Sequence, residues 1–506
     1  MKERMKRDKN NLSEVAAKGS IYNILSLVIL KLGGLIFTII LARILLPELF
    51  GVYALVLSVF TIVMTFTDLG ISTASVRYIS DSLGRRNKKM ARSYVRYFFK
   101  RKLILIFIAV VALLGISKYL SFSIYQNPLI YYPLIFSCLF IISESFREFF
   151  GFLFVARKDL KPNVFFDLIS QLSKIVFSVI ALLIFATDFK ISGIFIAFFI
   201  SSFITSLISF FVLRRKDKEI LFGHSEKIKD KSKVNTYWKY MAIATLSLAF
   251  FGSIDTLMLG GFVSTEYLGY YRAALSLILA IAAIFPLSSI FLPIFTQINK
   301  KRFVRGFQKT IRYLLIFSIP ATMGVVFIAK HLIFLIYGEA YLPATSSVYF
   351  LSLLVITSSL ISLYSTVLES KERPKIVGYA VLISLAFNVI LNYAAIKIFM
   401  KEPLMVIAGV GFATVLSRTA LLLILVFYSR KYLGLKIKGI GLRVPILSTV
   451  VMSMFLYAFN QFIDINLFTG IIEIILGAGI YFGVLVWLGG LNKDDWDLLK
   501  TLIRKN

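Results

Sequence analysis

Fourteen apolar runs follow one another along the sequence, at 20–42, 50–70, 103–117, 129–150, 163–186, 191–213, 238–260, 268–294, 311–336, 344–368, 376–396, 404–428, 444–460 and 467–490. About 20 such residues in a helix satisfy their own backbone hydrogen bonds and cross the hydrocarbon of a bilayer. The connections between runs are basic and non-basic in turn. Of the 57 Lys and Arg, 46 fall at or beside the N-terminus, the even-numbered connections and the C-terminal tail. The odd-numbered connections hold Arg43, Lys118, Lys190, Lys397 and Lys401. Basic residues are retained on the cytoplasmic side, so the pattern places both termini inside and requires an even number of spans. The expected fold class is an all-α integral membrane protein of about 14 transmembrane helices, in an inner or plasma membrane.

Composition supports this and removes other classes. Hydrophobic residues make up 58% of the chain, with a mean hydropathy of +0.84. A water-soluble fold cannot cover that much apolar surface. The net charge of +31 would otherwise suggest nucleic acid. No basic domain stands apart from the spans, so nucleic-acid binding is not expected. The lone Cys138 has no disulfide partner and lies in an apolar run, as a buried structural thiol does. His224 and His331 are far apart and lack Cys or Glu at ligand spacing, so no metal site is expected. The N-terminus is polar with mixed charge and no cleavage pattern follows the first run, which therefore reads as a permanent helix. Outward loops are short, no phosphate-binding loop pattern occurs, and no loop offers paired carboxylates or a His-based site. The sequence reads as a non-enzyme.

Internal repetition organises the spans. Pro47-Glu48-Leu49-Phe50-Gly51-Val52-Tyr53 answers Thr265-Glu266-Tyr267-Leu268-Gly269-Tyr270-Tyr271 at an offset of 218, with Glu, Gly and Tyr recurring. Leu168-Ile169-Ser170 recurs as Leu382-Ile383-Ser384 at 214, and Gly193, Ala197 and Ser201 match Gly409, Ala413 and Ser417 at 216. The repeat predicts two six-helix lobes, each starting inside and hence parallel, related by an axis along the membrane normal. The expected domains are an N-lobe at 1–213, a cytoplasmic basic linker at 214–237, a C-lobe at 238–428 and an accessory pair with the C-terminal tail at 429–506.

Charges inside the spans are the candidate functional residues. A charge at the bilayer centre costs about 2.5–3.5 kcal/mol or more, so such residues face the protein interior or water. Lys31 lies near the middle of the first run, followed by Gly33-Gly34, and either lines a cavity or pairs with Asp68 or Glu144. Lys174 lies two turns after Asp167 on roughly one face; Lys174 and Arg418 line a cavity or make interhelical salt bridges. Arg272 and Arg77 face a cavity or snorkel to the headgroups. Asp68, Glu144, Asp167 and Asp255 are candidates for ion coupling, with Asp255 and Arg272 at similar depth and able to pair. Lys31 aligns across the repeat with Ala249, Lys174 with Asn388, Arg418 with Ser202 and Asp255 with Phe37. The fold repeats and its buried charges do not, which favours function over scaffold. Several cations in a cavity suit an anionic substrate, and a diphosphate would exchange its hydration shell for Lys and Arg.

The stretch from Leu41 to Val59, then Asp68-Leu69-Gly70-Ile71 and Arg77-Tyr78-Ile79, resembles the start of the Wzx-type polysaccharide biosynthesis flippases. These belong to the multidrug/oligosaccharidyl-lipid/polysaccharide exporter superfamily. Asp255-Thr256-Leu257-Met258-Leu259-Gly260 and Leu268-Gly269-Tyr270-Tyr271-Arg272-Ala273-Ala274 resemble that family's seventh-to-eighth span region. The resemblance implies movement of an isoprenoid-diphosphate-linked oligosaccharide from the cytoplasmic to the outer leaflet by alternating access, with membrane lipids and glycan-assembly machinery as partners. It also implies that no cofactor is needed, although some members exchange substrate for protons or sodium ions. A monomer suffices, because two lobes make a complete pathway. The alternatives are another transporter on this fold, for a peptidoglycan precursor or a drug, and a membrane-embedded glycan polymerase or ligase.

Overall fold

The computed structural model describes residues 2–228, 231–283, 300–371, 373–435, 441–463 and 466–491. Packing divides the chain into two compact units. The first comprises Met1–Ile44 and Leu49–Thr265, the second Leu45–Glu48 and Glu266–Asn506.

The first unit holds α1 (Lys2–Asp68), α2 (Ile71–Gly84), α3 (Lys88–Tyr119), α4 (Tyr131–Ala156), α5 (Lys161–Ile184), α6 (Lys190–Lys216), the single turn α7 (Lys218–Leu221) and α8 (Lys231–Gly260). The breaks follow backbone chemistry. In α1 the helix is interrupted at Leu46, with φ 58° and ψ 173°, because the residue before Pro47 is driven out of the helical region. Leu69 and Gly70, both at positive φ, separate α1 from α2. Gly70 cannot be replaced without cost: at φ +76° an added Cβ would stand 2.5 Å from the Met241 Cβ on α8. Asn87 caps α3 by accepting from the Met90 N–H at 2.8 Å.

The 214–237 segment is laid along the start of α3. Arg92 donates to the Glu219 and His224 carbonyls, and Arg96 Nη2 donates to the Gly223 carbonyl at 2.8 Å. Ser93 Oγ donates to the Glu226 carbonyl at 2.6 Å. Lys88 pairs with Glu219 at 2.8 Å, which holds the Glu219 carboxyl below its ordinary value. Arg101 stacks over Trp238 at 4.7 Å, and Val234 joins an apolar core with Phe98, Phe154 and Phe166. Packing therefore changes hands at Thr265–Glu266, and α8 belongs with the first unit.

The second unit holds α9 (Thr265–Ala282), α10 (Lys300–Phe327), α11 (Ala329–Tyr337), α12 (Thr345–Leu351), α13 (Leu354–Ser370), α14 (Pro374–Phe399), α15 (Pro403–Leu433), α16 (Arg443–Phe462) and α17 (Leu467–Trp487). Asn466 starts α17 with a capping box, accepting from the Phe468 and Thr469 N–H groups at 2.9 and 2.8 Å. The Tyr481 hydroxyl donates to the Ile316 carbonyl at 2.6 Å and ties α17 to α10. The C-terminal pair is thus built into this unit.

The sequence repeat is a structural repeat. Gly193 at the start of α6 faces Phe185, with an added Cβ 2.7 Å from its Cδ2; Gly409 on α15 faces Phe399 in the same way at 3.0 Å. Ser201 of α6 and its repeat equivalent Ser417 of α15 each bond a polar side chain of the preceding helix, Ser173 at 2.6 Å and Asn388 at 3.1 Å, although those two partners are one position out of register.

Among the described residues, eleven helices are long and apolar enough to cross a membrane, or twelve if Glu339–Leu351 and Leu354–Ser370, bent by 48°, form one span. The first of these is a 60-residue stretch, Leu25–Gly84, that contains the first expected run from Leu25 onward and all of the second. The expected eighth run, 268–294, passes into 284–299, outside the described residues, as does the tail from 492. Large apolar side chains such as Leu183 and Phe462 are more than four-fifths exposed, as lipid-facing residues are.

Candidate functional site: a charge network in the first unit

Burial of ionisable groups in the first unit centres on α4. Glu144, Arg147 and Glu148 stand at i, i+3 and i+4, which puts all three on one helical face. Arg147 binds Glu144 through Nε to Oε2 at 2.9 Å and Nη2 to Oε1 at 2.5 Å. Its Nη1 lies 3.5 Å from Asp167 Oδ1 on α5. Ser202 on α6 donates to Glu144 Oε2 at 2.6 Å, so Glu144, only 7% exposed, is held by three donors.

A second chain of pairs adjoins this one. Lys102 on α3, only 2% exposed, lies 3.1 Å from Asp68 Oδ1 and 3.6 Å from Glu148 Oε2. The Asp68 carboxylate also accepts from the Ser72 N–H at 3.2 Å and from the Ser72 hydroxyl, which caps the break between α1 and α2. Arg147, Glu148, Asn163, Phe166, Asp167 and Ser209 line a cavity of about 190 Å³.

Lys174 adjoins this network and interacts with Glu144 at longer range than an ion pair. It lies seven residues beyond Asp167 on α5, half-buried, with its ammonium 5.5 Å from the Phe140 ring centre and 5.6 Å from that of Phe198. Among the described residues it has no carboxylate at ion-pair distance. The two rings and, at longer range, the Glu144 carboxylate stabilise the ammonium. In the second unit the aligned residue is Asn388, part of a neutral network with Asn392 and Ser417. The charge asymmetry of the sequence is present in the structure.

The remaining candidates are placed separately. Lys31 is exposed on α1 and makes no ion pair among the described residues. Neither expected partner is available to it, since Asp68 is held by Lys102 and Glu144 by Arg147. Gln171 of α5 lies over Gly33 beside it, with its Nε2 2.8 Å from where a Cβ would be. Arg77 is exposed on α2 and stacks over Tyr237 at 4.4 Å. Asp255 is buried on α8; Arg272 on α9 and Arg418 on α15 are half-buried in the second unit.

Three members of the network escape a reading based on apolar runs. Lys102 and Arg147 count there as basic residues at inward connections, yet Lys102 is buried and Arg147 half-buried in ion pairs inside helices that outlast the apolar stretch. Glu148 belongs with them. The helical spacing of Glu144, Arg147 and Glu148 is the signal that finds them. Among the described residues no group of three His, Cys, Asp or Glu could hold a metal ion.

The family described as "Polysaccharide biosynthesis protein" matches residues 16–299, more than half of the chain. A curated relative, the probable low-salt glycan biosynthesis flippase Agl15 of Haloferax volcanii, is 23% identical over 257 residues. That match covers 50% of this chain and 52% of the relative, so the chain spans about half the length of the relative it matches. Among solved structures, the lipid II flippase MurJ in an inward closed conformation is similar with a TM-score of 0.70 at 18% identity, over 92% of this chain and 98% of that one. An outward-facing multidrug resistance MATE family transporter of the MOP superfamily is similar with a TM-score of 0.59 at 14% identity, over 84% and 96%. These likenesses show the fold.

Proposed function

Because the chain belongs to the polysaccharide biosynthesis protein family, we propose that this multi-pass membrane protein is a flippase for an isoprenoid-diphosphate-linked oligosaccharide. Substrate moves from the cytoplasmic to the outer leaflet of an inner or plasma membrane, both termini being cytoplasmic. The two parallel repeats rock to give alternating access.

The observation that carries the reading is Lys174. It is a cation in a membrane-spanning helix, set beside the Phe140 and Phe198 rings and without a carboxylate at ion-pair distance among the described residues. With no close counter-ion, its ammonium can take an arriving anion as a direct partner, and a diphosphate offers several acceptor oxygens at once. Lys31, exposed on α1 of the same unit, supplies a second cation without a carboxylate. Arg272 and Arg418 are the candidates that the second unit presents. The Arg147 network is saturated by its own carboxylates, so it orients α4, α5 and α6 rather than binding substrate. The relative from Haloferax volcanii, named as a glycan biosynthesis flippase, supports this substrate class. The likeness to the MurJ structure, at 18% identity, does not extend to its lipid II substrate.

Deletion of the gene tests the proposal. Lipid-linked oligosaccharide should accumulate facing the cytoplasm, and the wild-type chain should clear it while Lys174→Met does not. Absence of accumulation would remove the flippase reading.

A further inference from the structure

A separate buried ionisable cluster lies in the second unit, where α11 meets the C-terminal helix pair. Glu473 is on α17, six residues and about 9 Å along the axis from Leu467. It is fully buried, and His331 on α11 is 4% exposed. Asn460 of α16 donates from Nδ2 to Glu473 Oε1 at 2.9 Å, and the same group faces the Phe327 and Leu456 carbonyls at 3.0 and 2.9 Å. His331 Nδ1 stands 3.1 Å from Glu473 Oε2. That approach is misaligned for a hydrogen bond, and neither Oε2 nor either ring nitrogen has another partner. The imidazole lies over Gly470, one turn before Glu473, where a Cβ would be 3.6 Å from the His331 Cβ. An apolar cavity of about 300 Å³, lined by Leu332, Met452, Leu456, Ile474 and Tyr481, borders the carboxylate.

Counting protons shows what this cluster can bind. With one proton shared between imidazole and carboxylate, the dyad is neutral as a pair, whichever residue carries it. Losing that proton leaves a carboxylate in an apolar site, and gaining a second leaves an imidazolium. Both are costly away from water, so the one-proton state is preferred across a wide pH range. Exchange of the proton requires water to reach Oε2, which is buried without a hydrogen-bond partner.

Neighbouring elements supply no competing charge among the described residues. From α10 come the Phe327 carbonyl and, about 22 Å back along the helix, Arg312, which donates to the Gly490 carbonyl. On α17 the Tyr481 phenol is engaged with Ile316, and α16 offers Asn460. On α11 itself Lys330 is exposed and Tyr337 buried; beyond it Glu339 is exposed and Tyr341 buried, and Tyr349 of α12 is exposed. A hard metal cation takes about six oxygen ligands, whereas the side chains gathered around this carboxylate present nitrogen.

We propose that His331 and Glu473, positioned by Asn460, form a proton-binding site, and that its proton is the ion coupled to transport. The coupling rests on the flippase reading; the binding site does not. With one proton per cycle, a transmembrane difference of one pH unit changes the leaflet distribution of substrate tenfold, since one unit corresponds to 1.36 kcal/mol.

The test has two arms. The full chain in lipid nanodiscs is titrated by infrared difference spectroscopy, following the protonated-carboxyl stretch. A band present in wild type, absent in Glu473→Gln and displaced in pH in His331→Gln supports the site. A spectrum unchanged by Glu473→Gln overturns it. In proteoliposomes, a fluorescent polyprenyl-diphosphate oligosaccharide should redistribute about tenfold per imposed pH unit with wild type and show no response with Glu473→Gln. A wild-type distribution that ignores the pH gradient, or follows a sodium gradient instead, overturns the coupling. If wild type moves no substrate under any condition, the flippase reading fails with the coupling, and the infrared arm alone decides the site.

Discussion

Removing Arg147 should destabilise the first unit more than removing any other single charge in it. Its guanidinium makes two bonds to Glu144 and lies 3.5 Å from Asp167. Hydrogen bonds to charged groups contribute about 1.5–3 kcal/mol each, so two of them amount to about 3–6 kcal/mol. Breaking a buried pair from one side costs about 3–5 kcal/mol, in the same range. Arg147→Met strands two carboxylates, whereas Glu144→Gln keeps an acceptor for Ser202 and leaves Arg147 beside Asp167. The expected order is therefore Arg147→Met above Glu144→Gln, with the second costing about half the first. The double variant Glu144→Gln/Arg147→Met should recover to within about 1–2 kcal/mol of wild type, because no charge of the pair remains. Equilibrium unfolding in mixed micelles with increasing dodecyl sulfate measures all four corners of this cycle. A cost under about 1 kcal/mol for Arg147→Met, or a double variant as unstable as that single, would refute the argument.

Other substitutions test particular contacts. Gly70→Ala should cost more than about 1 kcal/mol in the same unfolding assay, from positive φ and the clash with Met241 together. Gly193→Ala and Gly409→Ala should each cost about 1–3 kcal/mol by overpacking the repeated phenylalanine contact, with Gly193→Ala the worse because its approach is closer. Asn466→Ala should remove the α17 cap and about 1 kcal/mol, seen as faster hydrogen exchange in the first turn of that helix. Gly269→Ala should fold poorly or lose transport, since its Cβ would fall 2.0 Å from the Pro47 carbonyl oxygen; normal expression and flipping would contradict the close approach.

The helical membrane architecture and its internal repeat are legible in the sequence because lipid imposes them. A span must be long, apolar and internally bonded, and two repeats carrying Gly and Ser at matching positions make matching contacts at Phe185 and Phe399. The division between units is harder to read. The basic segment 214–237 looks like a junction, but Arg92, Arg96 and Arg101 bind it to α3 and carry α8 along. The buried network is half legible. Glu144 and Asp167 stand out within apolar runs, whereas Lys102 and Arg147 sit where a run ends and pass for loop charges, although their helices continue. Glu473 lies inside the apolar run 467–490, so a search for acids as well as bases finds it. Its pairing with His331, 142 positions away, depends on tertiary packing.

The central claim is that this chain moves a lipid-linked oligosaccharide across a bilayer, and proteoliposomes measure that directly. A labelled polyprenyl-diphosphate oligosaccharide is placed in the inner leaflet, and its arrival outside is followed by an impermeant glycosidase. Wild-type protein should expose the label far faster than protein-free vesicles, and Lys174→Met should slow it at least about tenfold, the loss of one charge-assisted contact to the diphosphate. Equal rates with and without protein would contradict the account.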